Sequence, residues 1–204
     1  MIHLVRHGET AYNRDGLALG RADVALTSLG LAQASAVVQR FAGVPVQRVL
    51  TSPLLRASHI AEGIAKGANL PLETADALTE LDVGETEGLA FAQMREHYRD
   101  FLSLWTSDSG WMARMPGGES MSDLGERLLP LAMDLRGSEG TEVVVVSHNF
   151  SIRVLMCLLL GVEVSRFRSF EVALASVTTL TVRNGRVGVR FVNDTCHLQG
   201  LNLA

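Results

Sequence analysis

Cysteine is almost absent. The 204 residues hold two, Cys157 and Cys196, too few and too far apart for the disulfide framework of a small secreted domain. Cys157 lies in an apolar helical run, where a buried and inert thiol is expected. A long apolar run is also missing: Val154 to Val162 is apolar but far short of the roughly 20 residues that cross a bilayer. Positive charge is not in excess. Eighteen Lys and Arg face 22 Asp and Glu, for a net charge of -4, so the overall balance attracts neither nucleic acid nor anionic lipid. An anionic ligand has to be held by a local cluster of cations against that background. No HxH, HExxH or paired-cysteine spacing appears, so no metal site is expected. No signal peptide is expected either, because Met1 to Gly8 already reads as a strand and its exit turn. These absences point to a cytoplasmic protein without nucleic-acid or membrane partners and without a cofactor. A homodimer stays open, symmetric dimers being common.

What is present is an ordinary globular balance, 47% apolar and 20% charged, in a length that suits one domain. Ile2 to Arg6 reads as a short strand. Thr27 is the expected N-cap of a helix reaching about Ala42. Gln47 to Thr51 reads as a second strand. Ser52-Pro53 then gives an N-cap followed by proline at the first helical position, opening a helix to about Lys66. Pro71 to Ala77 is extended. Phe91, Met94, Tyr98, Phe101 and Trp105 fall near helical spacing. Thr106 to Gly118, rich in Ser, Gly, Asp and Pro, reads as a loop, and Ser122 to about Leu135 as an amphipathic helix. Glu142 to Val146 carries four consecutive valines, a run apolar on both faces that suits a buried parallel strand. Asn149 to Gly161 reads as a helix closed by glycine. Ala175 to Arg183 and Arg186 to Asn193 read as strands joined by the hairpin signal Asn184-Gly185. Strands alternating with helices predict an α/β fold, a three-layer α/β/α sandwich with a mainly parallel central sheet.

In such sheets ligands bind outside the carboxyl ends of the strands. Three expected strands end there in polar groups: Arg6-His7, Thr51-Ser52 and Ser147-His148. Gly8 lets the chain turn sharply after His7 and is expected to leave the imidazole exposed. His148 precedes a helix, whose free N–H groups and positive dipole end suit phosphate. Arg56 lies in the first turn of its helix, and helical side chains lean toward the N-terminus, so it should reach the same sheet edge as His7. Guanidinium groups match phosphate oxygens with two parallel hydrogen bonds and keep their charge at working pH. The ordinary alternatives are a satisfied core histidine, a strand-edge ion pair for Arg6 and a solvated helix charge for Arg56.

The run Leu4-Val5-Arg6-His7-Gly8-Glu9-Thr10 resembles the signature of the histidine phosphatase superfamily, which includes cofactor-dependent phosphoglycerate mutases and many small-molecule phosphatases. The resemblance continues in order through Asn13, Gly20-Arg21-Ala22-Asp23, Leu26 to Gly30, Thr51 to Ala57, Leu78 to Gly84, Glu87-Gly88, Pro116 to Ser120 and Val146-Ser147-His148. It implies a phosphoglycerate mutase-like fold over residues 1–204. It also implies that His7 is the nucleophile that becomes phosphorylated. Arg6, Arg56 and His148 would hold the phosphoryl oxygens, with Asn13 helping. Glu80 would protonate the leaving oxygen and then activate water. Asp82 is expected to be structural, Glu85 a solvated loop charge and Glu9 a supporting residue.

The chemistry agrees. A histidine nucleophile needs one bare ring nitrogen facing phosphorus and the other protonated and held by an acceptor. Transfer of a phosphoryl group is mostly positioning and charge stabilisation. The sequence departs from the family after His148, where two glycines are usual and Asn149 and Phe150 stand. The N–H of Asn149 can still face phosphate, while the larger side chains narrow the pocket or pack on a lid. Residues 89–118, with Trp105 and Trp111, are expected to cover the active site, the competing reading being that these aromatics are core. A phosphatase acting on a small-molecule phosphate ester is favoured over a mutase because the chain, and its segment between Glu80 and Pro116, are short. A catalytically idle phospho-ligand-binding module would have lost His7, Glu80 or His148, and all three remain.

Overall fold

A computed structural model describes residues 1–201. In chain order its elements are β1 (Ile2–Arg6), the short α1 (Ala11–Arg14), α2 (Ser28–Arg40), β2 (Arg48–Thr51), α3 (Leu55–Ala68), β3 (Leu72–Thr74), α4 (Phe91–His97), α5 (Arg99–Trp105), α6 (Met121–Arg136), β4 (Val143–Ser147), α7 (Asn149–Leu160), β5 (Val177–Arg183) and β6 (Arg186–Asp194). The six strands form one sheet in the order β3-β2-β4-β1-β5-β6. β3, β2, β4 and β1 run parallel, while β5 and β6 are antiparallel additions at the β1 side. The expected α/β sandwich is what the chain builds.

Alternation along the central strands divides the core in two. Successive side chains point to opposite faces. Val143 and Val145 of β4, with Ile2, Leu4 and Leu50, join the apolar side chains of α6 and α7. Val144 and Val146, with Val5 and Val49, face α2 and α3. Both faces of β4 are therefore apolar because both are covered, and this is what the four valines signalled. The register aligns Arg6 with Ser147 and Thr51 with Val146. The three central parallel strands thus end within one residue of one another, and the residues after them, His7, Ser52 and His148, start from one edge.

Local chemistry sets most boundaries where expected. Thr27 caps α2 by accepting the Gly30 N–H at 3.0 Å. Gly161 closes α7 in the left-handed conformation, φ 69°. Asn184 and Gly185 both have positive φ, 51° and 69°, the twist-matched turn of a two-residue hairpin. Three expectations are corrected. α3 starts at Leu55, not at Pro53, with no side-chain cap from its own N-cap residue. Instead the Asp23 carboxylate accepts the Leu55 N–H at 2.8 Å from a loop 32 residues away, and Ser52 is engaged elsewhere. The stretch from Phe91 to Trp105 is two helices, broken at Tyr98, whose φ of -127° and ψ of 41° are not helical. α6 begins at Met121, capped by Ser120, whose hydroxyl accepts the Asp123 N–H while the Asp123 carboxylate accepts the Ser120 N–H. Helix α1 had no expected counterpart.

Candidate active site

His7 leaves β1 with its backbone fixed on both sides: its N–H donates to Ser147 O at 3.1 Å and its carbonyl accepts from Ala175 N–H at 3.0 Å. The next residue has to be glycine. A Cβ on Gly8 would stand 2.6 Å from the carbonyl oxygen of Gly30 in α2, and one on Gly30 would stand 2.1 Å from Glu9 O. Glu9 braces the same junction by accepting the Thr27 hydroxyl at 2.6 Å. The imidazole itself is 2% exposed, so the expectation that Gly8 leaves it open is corrected. The ring is buried beside that of His148, while α2 closes over the turn at Gly8.

The His7 tautomer follows from its partner. Nδ1 lies 2.7 Å from the Gly8 carbonyl oxygen, which can only accept. Nδ1 therefore carries the proton and Nε2 presents a lone pair. Burial lowers the His7 pKa well below its ordinary value, and the guanidiniums of Arg6 and Arg56 lower it further. The ring is kept neutral, which is the nucleophilic form.

His148, fully buried, stands beside it, with ring centroids 5.1 Å apart at a 57° tilt. Its Nε2 is 2.7 Å from the Ser52 hydroxyl. That hydroxyl oxygen also lies 3.3 Å from the Leu54 N–H, which donates to it. When Ser52 donates its proton to Nε2, the His148 proton sits on Nδ1, which is buried without a partner. Burial again lowers the pKa, followed by His7 and then Arg56.

The two arginines are held by backbone carbonyls. Arg56, 0% exposed, donates Nη1 to Ala22 O and Nη2 to Gly20 O, both at 2.6 Å. That loop is fixed in turn by Glu87, whose carboxylate accepts the N–H groups of Gly20 at 2.8 Å and Ala22 at 3.1 Å. Arg6 donates Nη1 to Val172 O at 2.7 Å. Desolvation pulls both guanidiniums below their ordinary pKa, Arg6 to about 10, against the attraction of Glu80. Both remain cations at neutral pH.

Among the described residues, three buried side-chain polar atoms lack a hydrogen-bond partner: Arg6 Nε, Arg56 Nε and His148 Nδ1. A buried donor without an acceptor costs about 1–3 kcal/mol, and native proteins keep few of them. All three belong to residues around the His7 ring. The two guanidinium Nε groups are donors, and His148 Nδ1 is one when Ser52 donates to Nε2, so the acceptor oxygens of an anion suit all three.

Glu80 is 4% exposed. Its Oε1 accepts the N–H groups of Leu81 at 2.9 Å and Ser151 at 3.1 Å, with the Ser151 hydroxyl at 3.3 Å. Oε2 accepts only the Phe150 N–H, at 3.1 Å. The carboxylate thus sits on the N-terminus of α7, next to His148. The loop that carries it is tied to the sheet by Ser147, whose hydroxyl donates to Leu78 O at 2.6 Å. Arg127 of α6 donates to the carbonyls of Ala77 and Thr79 and pairs with Glu119 at 2.9 Å. Asp82 accepts the Gly84 N–H at 2.9 Å, a turn-forming role. Glu85 is exposed and meets the Tyr98 hydroxyl at 3.2 Å.

Asn13 lies in α1, where its carboxamide oxygen accepts from the Thr10 N–H at 3.1 Å and hydroxyl at 2.9 Å. Its amide nitrogen has no partner among the described residues. Asn149 is the first residue of α7, so its N–H has no carbonyl within the helix to meet. Its side-chain oxygen accepts Arg153 Nε at 3.0 Å. Phe150 packs edge-on against Trp105 of α5, centroids 6.0 Å apart, and against Phe167 at 6.2 Å. Its ring is thus bound up in apolar packing.

Sequence reasoning missed Ser52 as the His148 partner, Glu87 as the support of the Arg56 loop, and Arg127 as the tie of the Glu80 loop. Ser52 and Glu87 stand inside recognised motifs, but nothing there distinguishes their roles. Arg127 looks like any solvated charge on an amphipathic helix. Among the described residues no group of three or more His, Cys, Asp and Glu could hold a metal ion, and no helix is long and apolar enough to cross a membrane.

A doubly covered, mainly parallel sheet with a bare imidazole nitrogen among buried, unpaired cationic and imidazole donors defines a phosphoryl-handling enzyme. The chain belongs to the histidine phosphatase superfamily (branch 1), whose profile matches residues 2–195. It is 31% identical over 196 residues to phosphoserine phosphatase 1 of Hydrogenobacter thermophilus, covering 96% of this chain and 92% of that one. It is 31% identical over 183 residues to a probable phosphoglycerate mutase GpmB of Salmonella choleraesuis, covering 88% and 83%. Among solved structures it is similar to the phosphoserine phosphatase of Entamoeba histolytica in complex with 3-phosphoglyceric acid. That match has a TM-score of 0.80 at 29% identity and covers 97% of this chain and 98% of the other.

Proposed function

We propose that this enzyme hydrolyses small-molecule phosphate monoesters through a phosphohistidine on His7. The observation that carries the reading is the set of three buried donors without acceptors around an imidazole whose Nε2 is bare. In the first step the Nε2 lone pair attacks phosphorus and the ester P–O bond breaks. The leaving oxygen takes a proton from Glu80, at Oε2, the carboxyl oxygen with one N–H donor instead of two. Arg6, Arg56 and His148 hold the equatorial oxygens, helped by the Asn13 amide and the Asn149 N–H. In the second step Glu80 takes a proton from water, the water oxygen attacks phosphorus, and the N–P bond breaks. The electron pair returns to Nε2 and inorganic phosphate leaves.

Residues 89–118 serve in this reading as the cover of the site, supported by the packing of Trp105 on Phe150 beside Glu80. The reading keeps the enzyme in the cytoplasm without nucleic-acid partners, in line with two free thiols and a net charge of -4. It leaves room for a homodimer through the edge strand β6, where Val189, Phe191 and Val192 are exposed. The test is a denaturing quench at alkaline pH, where the N–P bond of phosphohistidine survives, during turnover of a phosphomonoester panel. Phosphate on residue 7 and stoichiometric free phosphate support the proposal. Formation of 2-phosphoglycerate with 2,3-bisphosphoglycerate, and no free phosphate, would make the protein a mutase. No phosphorylated His7 with any ester would make it an idle binding module.

A further inference from the structure

The block Pro116 to Ser120 belongs to the motif series, yet the proposed reaction gives it no task. Ser120 caps α6. Glu119 has a half-buried carboxylate that accepts from two arginines and one backbone amide. Its Oε1 accepts Arg21 Nη2 at 2.8 Å and Arg127 Nε at 3.2 Å. Its Oε2 accepts Arg127 Nη2 at 2.9 Å and the Asp82 N–H at 3.0 Å. The backbone is pinned as well: the Glu119 N–H donates to Asp82 O at 2.9 Å, and its carbonyl accepts the Met115 N–H at 3.0 Å. Burial opposes the charge of this carboxylate. The hydrogen bonds from Arg127 and Asp82, with the charges of Arg127 and Arg21, outweigh that and hold its pKa below the ordinary value. Glu119 is therefore an anion at neutral pH.

These contacts converge on the stretch that carries Glu80. Arg127, oriented by its two bonds to Glu119, donates Nη1 to the carbonyls of Ala77 at 2.8 Å and Thr79 at 3.0 Å, with Nη2 3.4 Å from Glu80 O. The residues before Glu80 have further ties in Ser147 and Ser151. Beyond Glu80, the Asp82 backbone is held through both its N–H and its carbonyl by Glu119. Arg21 brings in the opposite loop. Its neighbours Gly20 and Ala22 hold Arg56, and a Cβ on Gly20 would stand 2.7 Å from Leu81 O. The loop behind the phosphate cage and the loop behind the acid are thus referenced to one carboxylate. They depend on it unequally, because the Arg56 loop has its own support in Glu87.

We propose that Glu119 is a positioning residue for proton transfer, which keeps Glu80 in place to protonate the leaving oxygen and adds little to the grip on phosphate. The proposal rests on the phosphatase reading above. Glu119 touches no reacting atom and acts through Arg127 and the Asp82 backbone. A displacement of about 1 Å in a catalytic group costs up to about 100-fold in rate. Here the cost falls on esters whose leaving oxygen needs a proton.

The test compares phenyl phosphate with p-nitrophenyl phosphate, which differ by one nitro group and hence in the basicity of the leaving oxygen. Phenolate needs the Glu80 proton far more than nitrophenolate does. The kcat/KM values cover the steps up to departure of the phenol, so later hydrolysis of phosphohistidine does not enter. In Glu119→Gln the ratio of kcat/KM for phenyl over p-nitrophenyl phosphate should fall about tenfold. Arg127→Gln, which cuts the arm to Ala77 and Thr79, should lower the ratio in the same direction. Glu87→Ala loosens the Arg56 loop instead and should lower both esters by the same factor. Equal losses on the two esters in Glu119→Gln, or no loss, overturn the proposal, since a general weakening of the fold does not sort substrates by leaving group. If Glu119→Gln does not fold, Arg127→Gln decides by the same criterion. Failure of wild type to release phosphate from either ester, with no phosphorylated His7, is the separate failure of the phosphatase reading.

Discussion

The Glu80 carboxylate and the Ser151 N–H meet at 3.1 Å across 71 residues of sequence. One side chain thereby has two functions: it caps the N-terminus of α7 and supplies the proton of the proposed reaction. A negative group on a helix N-terminus contributes up to about 2 kcal/mol in partly buried geometry. Glu80→Gln keeps an acceptor for α7 but loses the charge and the proton. Its kcat should drop about 10²- to 10⁴-fold, while the melting temperature falls by a few degrees at most. Steady-state kinetics beside calorimetry separates the two, and an unchanged kcat would remove Glu80 from the chemistry.

Ser52 is the hydrogen-bond partner of His148 Nε2. In Ser52→Ala the Nε2 atom is left buried without a partner, at a cost of about 1–3 kcal/mol. The proton is then free to sit on either nitrogen. Weaker binding of inorganic phosphate is expected, together with a lower melting temperature. Isothermal titration and thermal unfolding read the two effects. Phosphate affinity equal to that of wild type would mean that Nδ1 does not face the anion.

Glu87 acts at one remove. It holds Gly20 and Ala22, and those residues hold Arg56. Glu87→Ala should raise KM about tenfold, the scale of one charge-assisted hydrogen bond lost indirectly. The stabilisation of the protein by added phosphate should shrink accordingly. Loss of kcat with KM intact would point to a direct chemical role.

Stability should fall in acid with a recognisable origin. His3, His7, His148 and His197 all have pKa values lowered by burial, its largest cause in each. An unfolded chain takes up their protons near pH 6.5, while the folded one resists. Between that pH and their lower folded values the unfolded state binds more protons, so stability decreases as pH falls. Melting temperature should be level above about pH 7 and decline below about 6.5. Saturating phosphate should soften the decline, because an anion beside His7 and His148 favours their protonated forms. A pH-independent midpoint from 7 to 5 would contradict the buried neutral rings.

The sheet was legible because its signals are local. The four valines of β4, the Asn184-Gly185 turn and the Thr27 cap each carry their structural meaning in a few neighbouring residues. Ordered motifs also brought out His7, His148, Arg6, Arg56 and Glu80, which the fold gathers at one sheet edge. The start of α3 was misread because a serine before a proline carries the same local signal whether it caps the helix or not. Ser52 was taken by a histidine 96 residues away, and Asp23 replaced it. The break at Tyr98 was hidden for a related reason, since apolar spacing continues across it. Arg127 was invisible in sequence: an arginine on a helix reads the same whether it meets water or a loop carbonyl.

The contact between Gly8 and Gly30 leaves the nucleophile no slack. Two backbones touch with no side chain between them, so the floor that carries His7 cannot be remodelled by substitution without displacing the ring. Trp105, Phe150 and Phe167, by contrast, meet through side chains alone, and side chains can be exchanged one at a time.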